Sequence, residues 1–207
     1  METINENKVM QAVSVGAADF MELLTGAATH AHAKSDLIAL NAVKLSTIGG
    51  SLVADATDRY RLVRGTIEIY IVENESGTLD DTLLSLADIK QAIQFCKGLI
   101  GKQAVTLTRS GDILSLSCGG NLITLSVLNN AFPPFNDLLA PVEPAALTDL
   151  FFNPKYFGDI AKLCGKSKGK HGVKVTFGAA ANKAYSFKVK GDLVEWHGLV
   201  MPMREYK

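Results

Sequence analysis

The stretch Ala54-Asp55-Ala56-Thr57-Asp58-Arg59-Tyr60-Arg61-Leu62-Val63 decides how the chain is read. Apolar, β-compatible residues flank it. Between them, Thr57-Asp58-Arg59 is the short polar kind of segment whose side chains hydrogen-bond their own backbone and so favour a turn. The whole reads as a strand, a tight turn and a second strand. A turn that only reversed the chain would need no more than Asn-Gly or Asp-Gly. This one carries two arginines and a tyrosine, so it also presents a surface.

Outward from this hairpin the same order of elements recurs. Residues 9–15 alternate as a strand does. Over Ala17–Ala31, the residues Phe20, Leu23, Leu24, Ala27, Ala28 and Ala31 stand at three- and four-residue spacings, the stripe of an amphipathic helix. Strands are expected at about 37–47, 51–57 and 60–71, and an acidic surface loop at 73–81. Ser85 and Asp88 have the spacing of a capped helix start, with Leu86, Ile89, Ile93 and Ile100 on one face up to Gly101. Three strands follow, at 104–109, 113–118 and 122–128. A third helix opens at Asn153, a good N-cap, with Pro154 at the position where its missing N–H is harmless. Its stripe is Tyr156, Phe157, Ile160, Ala161 and Cys164, and Gly165 ends it. Strands at 173–177, 184–190 and 193–200 complete the set.

One helix and three strands thus occur three times, roughly 70 residues apart, an internal structural repeat. The expected class is α+β, with antiparallel sheets carrying helices on one face and two such units packing into a two-layer domain.

With 47% hydrophobic and 20% charged residues, no apolar run near the ~18 residues a membrane span needs and no charged-then-apolar leader, a soluble, cytoplasmic protein is expected. Cys96, Cys118 and Cys164 are odd in number and far apart, which argues against a disulfide framework or a zinc site and for buried thiols. Enzymatic motifs are scarce. Gly98-Leu99-Ile100-Gly101-Lys102 lacks the first glycine of a phosphate-binding loop and has Gln103 where Ser or Thr belongs. His30-x-His32 has no further ligands at a suitable spacing and reads as a solvated helix end. No carboxylates form a paired, apolar-flanked set. Neither an enzyme nor a cofactor is therefore expected. The 21 basic and 21 acidic residues cancel, so only their distribution can attract an anion. Lys90, Lys97 and Lys102 outnumber Asp88 around the second helix. Lys155, Lys162, Lys166, Lys168 and Lys170 outnumber Asp159 around the third. For an arbitrary protein this is a solvated helix face.

The sequence also resembles a known family. Ala56-Thr57-Asp58-x-x-Arg61-Leu62, preceded by Leu52-Val53, is similar to a signature in the middle domain of the bacterial DNA polymerase sliding clamp, the DNA polymerase III beta subunit. Three further segments match that family in the right order: Ala131-Phe132-Pro133-Pro134-Phe135, Phe152-Asn153-Pro154-Lys155-Tyr156, and Leu199-Val200-Met201-Pro202-Met203-Arg204.

The resemblance implies a clamp fold in which residues 1–141 form one complete domain of two units and 142–207 half of another. It implies a non-catalytic processivity factor that encircles duplex DNA. Its DNA-facing lysines would be Lys90, Lys97, Lys155, Lys162 and Lys166, acting on phosphates without reading bases. It also implies a groove for short peptides of polymerases and clamp loaders, made by Thr57, Tyr60, Arg61, Leu62, Pro141, Asn153, Tyr156, Leu199, Val200, Met201, Pro202, Met203 and Arg204. Methionines there would let several partners repack the pocket. The sequence departs from the family where Arg59 and Tyr60 replace a small residue and a histidine, and where the chain runs on through Glu205-Tyr206-Lys207. Three units against the family's six imply an apolar helix face and a sheet edge left open in the third unit, and hence a homotetrameric ring or a dimer. The alternative is a clamp-like regulator or decoy that keeps the groove but forms no ring.

Overall fold

In a computed structural model, residues 11–32, 36–73, 75–99, 103–139, 151–165, 172–177 and 184–203 are described. Pro141, Lys166, Arg204, Ile100 and Lys102, singled out above, lie outside them. The first unit is β1 (Gln11–Gly16), α1 (Ala17–Ala28), a 3-10 turn (Ile38–Leu40), β2 (Ala42–Ile48), β3 (Ser51–Thr57) and β4 (Arg61–Glu68). The second is β5 (Thr82–Ser85), α2 (Leu86–Lys97), β6 (Ala104–Ser110), β7 (Ile113–Cys118) and β8 (Asn121–Leu128), followed by the short α3 (Phe135–Leu138). The third is α4 (Pro154–Lys162), β9 (Val173–Thr176), β10 (Tyr185–Lys190) and β11 (Glu195–Val200).

The eleven strands are all antiparallel, in the order β1-β6-β7-β8-β5-β2-β3-β4-β11-β10-β9. That order corrects the picture of separate three-stranded repeats. β5 is a strand the periodicity missed, because it has only four residues and abuts a helix. β1 and β5 also cross over: β1 pairs with β6 of the second unit, and β5 with β2 of the first. A Ser14–Tyr70 bridge and the pairs Leu83–Leu128 and Leu84–Val127 close the remaining seams. The first two units are therefore interlocked through their leading strands.

Local signals set the helix ends. The Ser85 hydroxyl accepts the Asp88 N–H at 3.1 Å, and the side-chain Oδ1 of Asn153 accepts the Lys155 N–H at 3.0 Å, each relieving a helix donor that has no partner within its own turn. Gly165, at φ 69°, takes the left-handed conformation that stops α4. Helix α1 ends at Ala28, before the expected Ala31, and residues 38–40 form a 3-10 turn where a strand was expected.

The third unit is covered more fully than the sequence suggested. Ile160, Leu163 and Cys164 of its helix segment are buried, whereas Ala161 is exposed, so the apolar stripe does not lie open. Its own sheet and the first unit both cover it: Phe157 stacks on Tyr185 of β10, and Arg61 of β4 reaches Asp159 and the Tyr156 ring. Six β4–β11 pairs, from Thr66–Glu195 to Arg61–Val200, continue the sheet across the junction. Trp196 then enters a slot between α1 and β4. A Cβ on Gly65 would stand 2.5 Å from Trp196 and 2.6 Å from Leu23, and one on Gly26 would collide with the same indole. Two glycines thus make room for one large ring, whose burial contributes on the order of 4 kcal/mol.

Gly65→Ala is accordingly expected to cost about 1–3 kcal/mol through overpacking, although alanine is the better strand residue. Urea unfolding followed by Trp196 fluorescence measures it. An unchanged midpoint would show that the slot has room to spare.

Candidate peptide-binding site

The hairpin between β3 and β4 is held by its own polar groups. The Thr57 hydroxyl donates to the Arg61 carbonyl at 2.7 Å, and the Asp58 N–H donates to the same oxygen at 3.2 Å. Asp58 Oδ1 accepts the N–H groups of Tyr60 and Arg61 at 3.1 and 3.0 Å. Arg59 sits at φ 80°, the sole positive φ outside glycine among the described residues. Such a conformation costs about 1 kcal/mol or more and persists where the surroundings over-determine it. The turn therefore displays Arg59 and Tyr60 outward, and Tyr60 is 61% exposed.

Arg61 turns inward instead. Its Nε donates to Asp58 at 2.9 Å, its Nη1 to Asp159 of α4 at 2.6 Å, and its Nη2 to the Thr29 carbonyl after α1 at 2.8 Å. The guanidinium stacks 4.5 Å from the ring centre of Tyr156. Burial pushes the Asp159 carboxyl up, but hydrogen bonds from Lys162 and Arg61 outweigh it and hold the group below its usual range. Arg61 was expected to face a ligand; its polar atoms are mostly engaged in joining the first and third units.

The hairpin then separates two concavities. One, of about 440 Å³, is mainly apolar and lies on the outer face of the sheet. Thr57, Tyr60, Arg61, Leu62, Leu199 and Met201 line it, together with Leu40, Arg59, Pro133, Leu138 and Ala184. The other, of about 550 Å³, is polar and lined by Thr29, Ala31, His32, Asp58, Tyr60, Arg61, Asn153, Lys155, Tyr156, Asp159 and Lys162. Six of the expected groove residues thus share the apolar concavity. Asn153 and Tyr156 stand in the polar one, with Tyr60 and Arg61 common to both.

Three residues at the tail differ. Val200 is fully buried, because side chains alternate along β11 and put Leu199 on the groove side and Val200 in the core. Pro202 and Met203 line neither concavity, and the Met203 N–H instead donates to the Phe151 carbonyl at 2.7 Å. Leu40, Leu138 and Ala184 escaped sequence reading because no local pattern links them; only the sheet order brings them to Leu62 and Leu199. Among the expected DNA-facing lysines, Lys155 and Lys162 line the polar basin, where Lys162 pairs with Asp159 at 2.7 Å. Lys90 and Lys97 are exposed on α2 and line neither concavity.

His30 corrects another expectation. It is not a solvated helix end but fully buried, its Nδ1 2.9 Å from the Thr29 hydroxyl and 3.2 Å from the Gly26 carbonyl. Burial first, and the nearby Arg61 charge second, push its pKa down to about 4.

Two comparisons find nothing: no family model matches the sequence, and no curated protein matches it. Solved structures do match. The DNA polymerase III beta subunit of Thermotoga maritima superposes with a TM-score of 0.74 at 16% identity, over 100% of this chain and 69% of that one. A DNA polymerase sliding clamp of Pseudomonas aeruginosa gives 0.76 at 14%, over 94% and 67%. The DNA polymerase III beta subunit of Borrelia burgdorferi, in complex with a natural product, gives 0.72 at 14%, over 100% and 67%. The chain has the sliding-clamp fold. It spans about two thirds of the length of the clamps it matches, and the antiparallel α+β class expected from the repeats is the one observed. No helix among the described residues is long and apolar enough to cross a membrane.

The buried His30 gives the clamp fold a pH dependence. Between pH 6.5 and about 4 the unfolded chain binds a proton that folded His30 does not, so its contribution is complete above pH 6.5 and falls as pH drops toward 4. The loss is on the order of 3 kcal/mol. The Asp159 pair adds a further loss only below the usual carboxylate range. Denaturant unfolding at several pH values should show His30→Leu with a flatter profile than wild type between pH 6.5 and 4.5; parallel profiles would exonerate His30.

Proposed function

We propose that the protein is a non-catalytic sliding clamp, a processivity factor that encircles duplex DNA and holds partner peptides in the groove beside the Thr57–Leu62 hairpin. The observation that carries this is the convergence of Thr57, Tyr60, Arg61, Leu62, Leu199 and Met201 on one mainly apolar concavity in a clamp fold. Those residues come from segments about 140 positions apart in the chain. Lys90, Lys97, Lys155 and Lys162 are exposed on helices α2 and α4, which supports contact with phosphates in any sequence.

Binding at micromolar affinity or weaker is expected for a labelled C-terminal peptide of a bacterial replicative polymerase, since a few buried side chains supply the contact. Met201→Ala should weaken it at least threefold and Met203→Ala should not, because only Met201 lines the groove. Equal binding by wild type and Met201→Ala in a fluorescence titration would sink the groove assignment.

A second reading is a regulator that keeps the groove without forming a ring, and the free edge of the sheet at β9 bears against it. Among the described residues β9 pairs only with β10, and a free edge favours association with another chain. We infer self-association through this edge, into a tetrameric ring or a dimer. Light scattering decides. Four times the 22.2 kDa chain mass supports the ring, twice that mass supports the dimer, and a stable monomer leaves the regulator reading in place.

A further inference from the structure

The outer face of the sheet carries an arrangement that the apolar groove does not explain. The register sets Lys174 of β9 opposite Lys188 of β10, Lys188 opposite His197 of β11, and His197 opposite Arg64 of β4. Residues directly opposite one another share a face, so these four stand in one row across four strands, about 4.8 Å apart per strand. Like charges in that relation destabilise a sheet. Arg64 is compensated, since Asp55 accepts its Nε and Nη2 at 2.7 and 2.8 Å. Lys174 and Lys188 are exposed, and among the described residues neither has an acidic partner. Burial, then the charges of Lys188 and Arg64, push the pKa of His197 down. Arg64, Lys174, Lys188 and His197 line a groove of about 520 Å³, together with Lys190 and Glu195.

This row adjoins the apolar groove. Leu62 and Leu199 line that groove and are directly paired; two residues along the same strands, on the same face, come Arg64 and His197. The step is about 7 Å, the reach of two residues of an extended peptide.

We propose that the basic row is a second subsite for the peptide that fills the groove, receiving a run of acidic side chains that flanks its apolar anchor. The inference rests on the peptide-groove reading above. A peptide added edgewise to β9 would run along the strands and set a single side chain opposite Lys174, whereas the row runs across them. A nucleic-acid strand would match the charge. It would lack stacking platforms, because Trp196, the aromatic residue at this groove, is only 2% exposed. Acidic side chains need the cations alone and account for two lysines left without partners. They also give the subsite a role in discrimination, since charge across a contact selects partners more than it adds affinity.

The test uses three versions of the polymerase-tail peptide, with neutral flanks or with Asp-Glu-Asp on the N- or the C-terminal side. One acidic version should bind about tenfold tighter than the neutral one at low salt, with the advantage shrinking as salt screens it. Lys174→Ala with Lys188→Ala should abolish the advantage and leave the neutral peptide within twofold of wild type. Lys90→Ala with Lys97→Ala removes the same charge elsewhere and should leave the advantage intact. The His197 ring resonances should move, and its pKa should rise, only with the favoured acidic peptide. An advantage that is absent, that survives the Lys174/Lys188 variant, or that disappears equally in the Lys90/Lys97 variant overturns the proposal. So does a short single-stranded oligonucleotide that displaces the acidic peptide and depends on the same two lysines. If the neutral peptide itself fails to bind, the groove reading falls and takes this one with it; if it binds and acidic flanks add nothing, only this one falls.

Discussion

The guanidinium of Arg61 is the group on which the junction between the first and third units depends. It is buried, and it joins three places far apart in sequence: the hairpin through Asp58, the end of α1 through the Thr29 carbonyl, and α4 through Asp159. An isolated buried charge costs several kcal/mol, and removing one partner of such a pair typically costs about 3–5 kcal/mol because the other is stranded. Arg61 and Asp159 therefore favour a single arrangement of hairpin and helix. Lysine would not serve, having no planar fork with which to meet two carboxylates and a carbonyl together.

Around that clip the packing is equally particular. The β4–β11 ladder makes the junction part of one sheet, and Trp196 fills the room left by Gly26 and Gly65. Because β-strand side chains alternate, the same ladder assigns Trp196 and Val200 to the core and Leu199, His197 and Glu195 to the outer face. The apolar groove and the basic row are thus successive parts of one outward-facing surface, in an order set by the register. Neither depends on a flexible loop of its own for its principal strand residues.

What could be read from the sequence was what depends on near neighbours. Ser85 with Asp88, Asn153 with Pro154, and Gly165 mark helix boundaries through caps and backbone preferences that act within a few residues, and each appears where expected. The apolar concavity was legible in part, because Thr57, Tyr60, Arg61 and Leu62 lie in one short segment and Leu199 and Met201 in another. The remainder depends on contacts that no local pattern encodes. Val200 was misplaced because the facing of a strand depends on its partner. His30 was read as solvated because its burial comes from Phe187 and Arg61, distant in the chain. β5 was missed because four residues are too few to show a period.

The crossing of β1 and β5 has a consequence for synthesis. Ser14 finds its partner Thr106 only 92 positions later, so the first strand has no ladder to join until β6, midway through the second unit, has been made. At usual translation speeds of about 5–20 residues per second, that interval lasts on the order of 5–20 seconds. Throughout it Phe20, Leu23 and Leu24, all buried in the finished protein, belong to a helix whose covering sheet is incomplete. The nascent chain should therefore be a good chaperone client for as long as β6 is missing, and a stop anywhere before residue 104 releases a product that cannot close its own sheet.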